Sequence, residues 1–134
     1  MLNNLTATVL FVQDVNKCRA FYEDIFGWNV LFEDDHSAAY RLEGGHDFVL
    51  LHTSAAAEQI GEENLTFDHG LGHRMMLCLG VDNVDETCDD LVAKGVKLLK
   101  PPKSQHWGRR TAYFADPEGN IWELWHYLPD PEAE

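Results

Sequence analysis

The feature that most constrains this fold is a pattern that occurs twice, once in each half of the chain. Val12-Gln13-Asp14-Val15 is matched by Val81-Asp82-Asn83-Val84 further along. In both places a strand-type run leads to an Asp or Asn that can cap a helix, and a helical apolar repeat then ends at glycine. The recurrence predicts two copies of one structural unit.

Each copy continues from its helix into three short strand-type runs. The predicted helices span residues 15–26 and 84–94. The predicted strands span residues 5–12, 28–32, 38–42 and 48–52 in the first copy, and 77–81, 96–99, 111–115 and 121–125 in the second. The pattern therefore predicts an α+β fold of two βαβββ modules.

The 134 residues, of which 45% are hydrophobic, suit a single domain with its own core. We expect module one at about 5–53 and module two at about 73–127. Residues 54–72 are Ala-rich and acidic without clean periodicity, which predicts a connecting arm or lid. The acidic tail, 128–134, is expected to be frayed.

The charge balance is strongly acidic, with a formal net charge of −13. Nucleic acid and anionic membranes are therefore poor partners, whereas cationic ligands would be attracted. Six of the ten basic residues nevertheless lie in one stretch, where they either offset neighbouring acids or hold an anionic group. They are Lys94, Lys97, Lys100, Lys103, Arg109 and Arg110.

Cysteine usage and the N-terminal sequence both predict a cytoplasmic location. Cys18, Cys78 and Cys88 are odd in number and lack CxxC spacing, as expected of reduced thiols. The first residues show no secretory pattern, and no apolar run is long enough to span a bilayer.

The segment richest in chemical information lies near the C-terminus. Asp116-Pro117-Glu118-Gly119-Asn120 has the composition of a tight turn between two strands. Glu123 is the one acid in the apolar run Ile-Trp-Glu-Leu-Trp. A carboxylate in a strand built for burial needs either a partner or a task.

This segment resembles the glyoxalase, bleomycin-resistance and extradiol-dioxygenase superfamily, the vicinal oxygen chelate fold. The resemblance rests on Gly108-Arg109, Phe114, Asp116-Pro117, Gly119-Asn120 and Glu123-Leu124, and extends over about residues 6–126. It implies that the two modules form a cupped mixed sheet with helices outside. It also implies that the position of Glu123 is often that of a metal ligand.

The resemblance further implies metal ligands on the first and last strand of each module. The matching positions hold Ala7, Val49, Met76 and Glu123, so three of four lack a suitable donor. We therefore predict no metal cofactor. A register shift of three residues would bring in His52 or His73, and a divalent Zn, Ni, Mn or Fe is the alternative.

Strand alternation predicts a mostly apolar cavity lining with one acid. The residues expected to face the cavity are Ala7, Val9, Phe11, Met76, Cys78, Gly80, Ile121, Glu123 and Trp125. This composition favours a planar, apolar or cationic ligand, with Glu123 as the only charge inside. Trp107, in a loop at 101–108, either caps a core or stacks on the ligand.

The functional subgroup that the chain resembles most is the bleomycin-resistance proteins, which implies a metal-free homodimer that sequesters an antibiotic-like molecule. The predicted ligand-binding residues are Trp107, Glu123, Phe11, Met76, Cys78, Trp125, Arg109 and Tyr113. The alternative is a glyoxalase-like lyase or dioxygenase that uses a divalent metal. Glu123 as a lone general base, and a sensing or interaction module, are also open.

Overall fold

The structure, a computed structural model, describes residues 2–65 and 75–130. It divides into two compact units, Met1–Gly70 and Leu71–Glu134. Each unit contains a four-stranded mixed sheet and a helix that follows the first strand. The predicted α+β fold with two βαβββ modules is confirmed.

The first unit has the strand order β1-β4-β3-β2, in which β1 and β4 are parallel and the other pairs antiparallel. Its elements are β1 (Ala7–Val12), α1 (Val15–Ala20, continued by a π-helical turn, Phe21–Ile25), β2 (Val30–Glu33), β3 (Ser37–Arg41) and β4 (Asp47–His52). The predicted helix at 15–26 therefore changes its winding after Ala20.

Local chemistry explains both ends of this first helix. Asp14 caps it, since its Oδ1 accepts a hydrogen bond of 2.9 Å from the amide of Lys17. Gly27, at φ 76°, supplies the left-handed residue after the last turn. One face of the helix is buried through Cys18 and Tyr22, which lie in the core with Phe48 of β4.

The second unit repeats this topology with the strand order β5-β8-β7-β6. Its elements are β5 (Met76–Gly80), α3 (Val84–Ala93), β6 (Leu98–Ser104), β7 (Arg109–Ala115) and β8 (Ile121–Tyr127). Asn83 caps α3 through a hydrogen bond of 3.1 Å from the amide of Glu86. The helix predicted at 84–94 is thus confirmed, and with it the repeat.

The prediction of an arm without regular structure at 54–72 is wrong for its first part. An eight-residue helix, α2 (Thr53–Ile60), follows β4 directly, and a short 3-10 turn, Glu62–Asn64, follows the helix. Its three consecutive alanines favour a helix. Of its residues only Ala56 is buried, so this helix forms without the apolar periodicity by which the sequence would have predicted it. Residues 66–72 lie outside the described residues.

The prediction for β6 is also wrong in its bounds. The strand does not end at residue 99 but continues to Ser104 through Pro101 and Pro102, which had been assigned to a loop. Because β6 is the edge strand of its sheet, prolines that lack an amide proton are tolerated there. The ladder to β7 contains two register shifts, one on each side of Lys100.

The described residues next to the two ends of the chain add no helix or strand. Residues 128–130 of the predicted tail follow β8 without helix or strand, and 131–134 lie outside the described residues. None of the helices within 2–65 and 75–130 combines the length and apolar character that crossing a bilayer requires.

Candidate functional site

The candidate site lies on one face of the second unit's sheet, which we call the open face. Two contacts define the opposite face: His126 accepts a hydrogen bond from the first amide of α3, and Arg110 pairs with Asp85 of α3. Side chains alternate along a strand, so Glu123 and Tyr113 point to the open face.

The register brings Cys78, Glu123 and Tyr113 side by side across β5, β8 and β7. We call these three residues the acidic row. The Glu123 side chain is only 6% exposed, and its Oε2 accepts a hydrogen bond of 2.7 Å from the Tyr113 hydroxyl. Cys78 is the register partner of Glu123 on β5, close enough for the carboxylate to act on its thiol. The buried acid therefore has partners within its own sheet.

The electrostatics of the acidic row keep both donors protonated. Burial, reinforced by the nearby Glu123 charge, raises the pKa of the Cys78 thiol. Burial is also the main cause that raises the pKa of the Tyr113 hydroxyl, and Glu123 adds to it, although Thr111 acts in the opposite direction. Both side chains therefore stay uncharged at neutral pH, and the Tyr113 hydroxyl donates its hydrogen bond to the carboxylate.

An aromatic cluster lies beside the acidic row on the same face. The guanidinium of Arg109 lies 3.9 Å from the centre of the Trp125 ring and 5.2 Å from that of Tyr127. Gly80 leaves room for the indole, since a Cβ there would come within 3.2 Å of it. The expectation that Glu123 is the only charged residue inside the site is wrong, because the Arg109 guanidinium lies on the same face of the sheet.

Trp107 does not cap a core, so one of its two interpretations is wrong. Its side chain is 54% exposed at the turn between β6 and β7, and its ring contacts His106, with ring centres 4.9 Å apart. Gly108, at φ 85°, completes that turn. From Arg109 to Tyr113 the strand spans about 13 Å, so Trp107 lies well away from the acidic row.

Two predicted apolar residues lie on the expected strand faces. Met76 of β5 is 45% exposed and lies two residues before Cys78 of the acidic row, on the same face of the strand. Phe11 of β1, also 45% exposed, alternates with the buried Leu10 and Val12 in the first unit. Phe11 therefore points away from the core of its own unit.

Sequence reasoning missed a cleft of about 320 Å³ at the edge of the open face. It is lined by Lys100, Pro101, Lys103, Gln105 and Tyr113. The sequence feature that could have indicated this cleft is the concentration of basic residues between 94 and 110. The cleft was not foreseen because this segment was assigned to a loop, in which side-chain directions cannot be predicted.

The donor set of the described residues does not fit a divalent metal. Within 2–65 and 75–130 no group of three or more His, Cys, Asp or Glu side chains converges. His52 instead caps α2, accepting a hydrogen bond of 3.0 Å from the Ser54 amide, and His73 lies outside the described residues. Of the four matching positions, only Glu123 offers a suitable donor.

Comparison with known proteins gives the family. The model of the glyoxalase/bleomycin resistance protein/dioxygenase superfamily matches residues 4–124. The chain belongs to this superfamily. Its sequence is 32% identical over 121 residues to the uncharacterized protein YraH of Bacillus subtilis, covering 89% of this chain and 94% of YraH.

Two further members illustrate the range of the superfamily. A probable lactoylglutathione lyase of Synechocystis is 29% identical over 129 residues, covering 90% of this chain and 92% of the lyase. The crystal structure of a superfamily protein from Nocardioides has a TM-score of 0.83 at 21% identity. The match covers all of this chain and 89% of that one, and at this identity it shows the fold alone.

Proposed function

We propose that this superfamily member is a metal-independent binding protein that sequesters a planar, apolar or cationic small molecule, such as an antibiotic, without chemical conversion. The observation that carries the proposal is the acidic row. It presents a buried carboxylate that accepts a hydrogen bond from the neutral Tyr113 hydroxyl. The other three positions matched to metal ligands hold Ala7, Val49 and Met76, none of which is a suitable donor.

The acidic row suits a cation because its own partners do not neutralise Glu123. Tyr113 and Cys78 are both uncharged, so neither places a positive charge beside the Glu123 carboxyl group. A buried charge in surroundings of low dielectric attracts a cation more strongly than an exposed one. The aromatic rings of Tyr113 and Trp125 offer faces on which a planar ligand stacks.

Arg109 imposes a condition on such a ligand. Its guanidinium already covers the Trp125 ring, so a planar molecule that stacks on this indole must displace it. A ligand that binds through Glu123 and Tyr113 alone leaves Arg109 in place. Displacement therefore distinguishes two binding poses, and the fluorescence of Trp125 reports which one occurs.

The proposal includes a homodimer, as the resemblance to bleomycin-resistance proteins implies, and a cytoplasmic location, as the cysteine usage predicts. Light scattering at micromolar concentration tests the assembly, and a clean monomer would contradict it. The competing function is a metal-dependent lyase or dioxygenase. It is favoured by Glu123, the one donor retained at the matched positions, and by the name of the Synechocystis relative.

Elemental analysis and a thermal-shift titration separate these functions. Protein purified without chelator should contain well under one equivalent of Zn, Ni, Mn or Fe. Its melting temperature should rise with metal-free bleomycin or with ethidium in the presence of EDTA, because a ligand that prefers the folded state stabilises it. About one metal equivalent per chain would favour the lyase or dioxygenase.

A matched pair of charge variants then locates the binding. Glu123→Gln should weaken ethidium binding by about tenfold, which corresponds to about 1.4 kcal/mol. Glu118→Gln removes the same charge from the exposed turn of the same hairpin and should change binding less than twofold, about 0.4 kcal/mol. Equal losses in both variants would indicate attraction to the acidic surface and would contradict a site at Glu123.

A further inference from the structure

We propose that the cleft at the edge strand β6 is an oxyanion subsite, so that the molecule held on the open face also carries a phosphate-type or carboxylate group. The inference rests on the proposed function only in placing that molecule beside Glu123. Its own basis is the backbone geometry of β6, the two lysines that this geometry aligns, and the charge balance of the face.

The backbone of β6 is built so that two lysines reach the same face. Lys100 pairs with Tyr113 and Lys103 with Thr111, so three steps on β6 correspond to two on β7. In a regular strand, residues three apart point to opposite faces. The extra residue, at the Pro101-Pro102 step, forms a bulge that turns both lysines toward the open face.

The cleft lies where this bulge interrupts the ladder. Its lining combines the two lysines with Pro101, Gln105 and Tyr113, around about 320 Å³ of space. The Gln105 side chain is fixed by a hydrogen bond of 3.0 Å from its Nε2 to the Thr111 hydroxyl. A phosphate or a carboxylate fits easily into such a volume.

No acid among the described residues pairs with either lysine. Within residues 2–65 and 75–130, no carboxylate forms an ion pair with Lys100 or Lys103, whereas Arg110 on the opposite face is held by Asp85. In a chain of net charge −13, two lysines that line one cleft without an ion pair to any described residue form a local concentration of positive charge. Together they provide the positive field that a compact oxyanion requires.

The subsite is also placed to act together with the acidic row. Lys100, Tyr113 and Glu123 are register partners on three neighbouring strands, so the backbones of Lys100 and Glu123 lie about 10 Å apart. Because Tyr113 already donates to Glu123, the lysines are the groups that hold the anion. A ligand with an apolar ring between a cationic and an anionic end matches this spacing.

Titrations with inorganic phosphate, and separately with benzoate, test the subsite at low ionic strength. Heats of binding and the side-chain NMR signals of lysine should saturate. Lys100→Gln/Lys103→Gln should weaken binding by about tenfold. Lys97→Gln, which removes the same charge just before β6, should weaken it less than twofold, and Lys100→Arg/Lys103→Arg should retain it. Saturation by phosphate alone or by benzoate alone identifies the oxyanion type.

The outcomes separate this proposal from the proposed function. Glu123→Gln should leave phosphate affinity unchanged or slightly higher while it weakens ethidium, because the two probes occupy opposite ends of the site. If ethidium does not bind but an anion does, the proposed function is contradicted and the oxyanion subsite is not. The subsite is overturned if neither anion saturates, or if Lys97→Gln weakens binding as much as the double variant.

Discussion

The two modules share one scaffold but differ in what they present on their sheet faces. On the helix-facing side of each sheet, three register partners are the same residue types: Leu10, Leu50 and Ala38 in module one, and Leu79, Leu124 and Ala112 in module two. The adjacent partners on the other face differ completely: Val9, Val49 and Ala39 against Cys78, Glu123 and Tyr113.

The comparison separates what the fold requires from what binding requires. The helix-facing partners are buried almost throughout, so packing limits them to residues of matching size in both modules. The residues on the other face of each sheet are less constrained by packing in the core. The three partners in module one are apolar, whereas those in module two are a carboxylate, the tyrosine that donates to it and a cysteine.

The largest effect should come from the shared partners. Leu50→Ala and Leu124→Ala each remove a fully buried side chain and should each lower the free energy of unfolding by about 2–5 kcal/mol. Urea denaturation at neutral pH measures both. A loss below about 1 kcal/mol in either variant would contradict the equivalence of the two cores.

A second comparison uses the two tyrosines that donate to carboxylates. Tyr113→Phe should cost about 1–3 kcal/mol of unfolding free energy, since the buried Glu123 carboxylate loses a charge-assisted hydrogen bond. Tyr40→Phe should cost less, because Glu23 keeps its 2.7 Å bond from Arg19. Equal or reversed costs in urea denaturation would contradict the greater dependence of Glu123 on its tyrosine.

The contact between Cys78 and Glu123 predicts a distinct pH dependence. Because the pKa of Cys78 is raised in the folded protein, its alkylation by iodoacetamide should accelerate only above the pH typical of a free thiol. Glu123→Gln removes a charge that raises this pKa, so its rate profile should shift to lower pH. Mass spectrometry identifies the modified site, and Cys18 and Cys88, both buried, are internal controls.

The same shift has a consequence for stability. A thiol with a raised folded-state pKa contributes stability that is fully present below the unfolded pKa and is lost as the pH rises through the folded one. Wild type should therefore lose more stability than Glu123→Gln on the alkaline side. Identical alkaline unfolding profiles for the two proteins would contradict the contact.

The smallest effect should come from Trp107→Ala. The indole at the β6–β7 turn is exposed and contacts a neighbouring imidazole, so the unfolding free energy should change by about 0.5 kcal/mol or less. Ligand affinity measured on the same variant shows whether the indole extends the site. A cost above about 2 kcal/mol would restore the interpretation of Trp107 as a core cap.

The sequence predicted the scaffold well because it repeats local signals. Asp14 and Asn83 both cap helices as expected, and strand alternation assigned Cys78 and Glu123 to a common face. The cleft at Lys100 and Lys103 was not predicted. A bulge changes the face of every later residue, and its position depends on pairing with β7 rather than on β6 alone.

The most direct test of the central claim is an NMR titration of the labelled protein with ethidium in the presence of EDTA. The account predicts saturable amide shifts at Cys78, Tyr113 and Glu123 that exceed those at their module-one equivalents Val9, Ala39 and Val49. The shifts should be lost in Glu123→Gln. Shifts that appear only after a divalent metal is added, or that are larger in module one, would contradict the account.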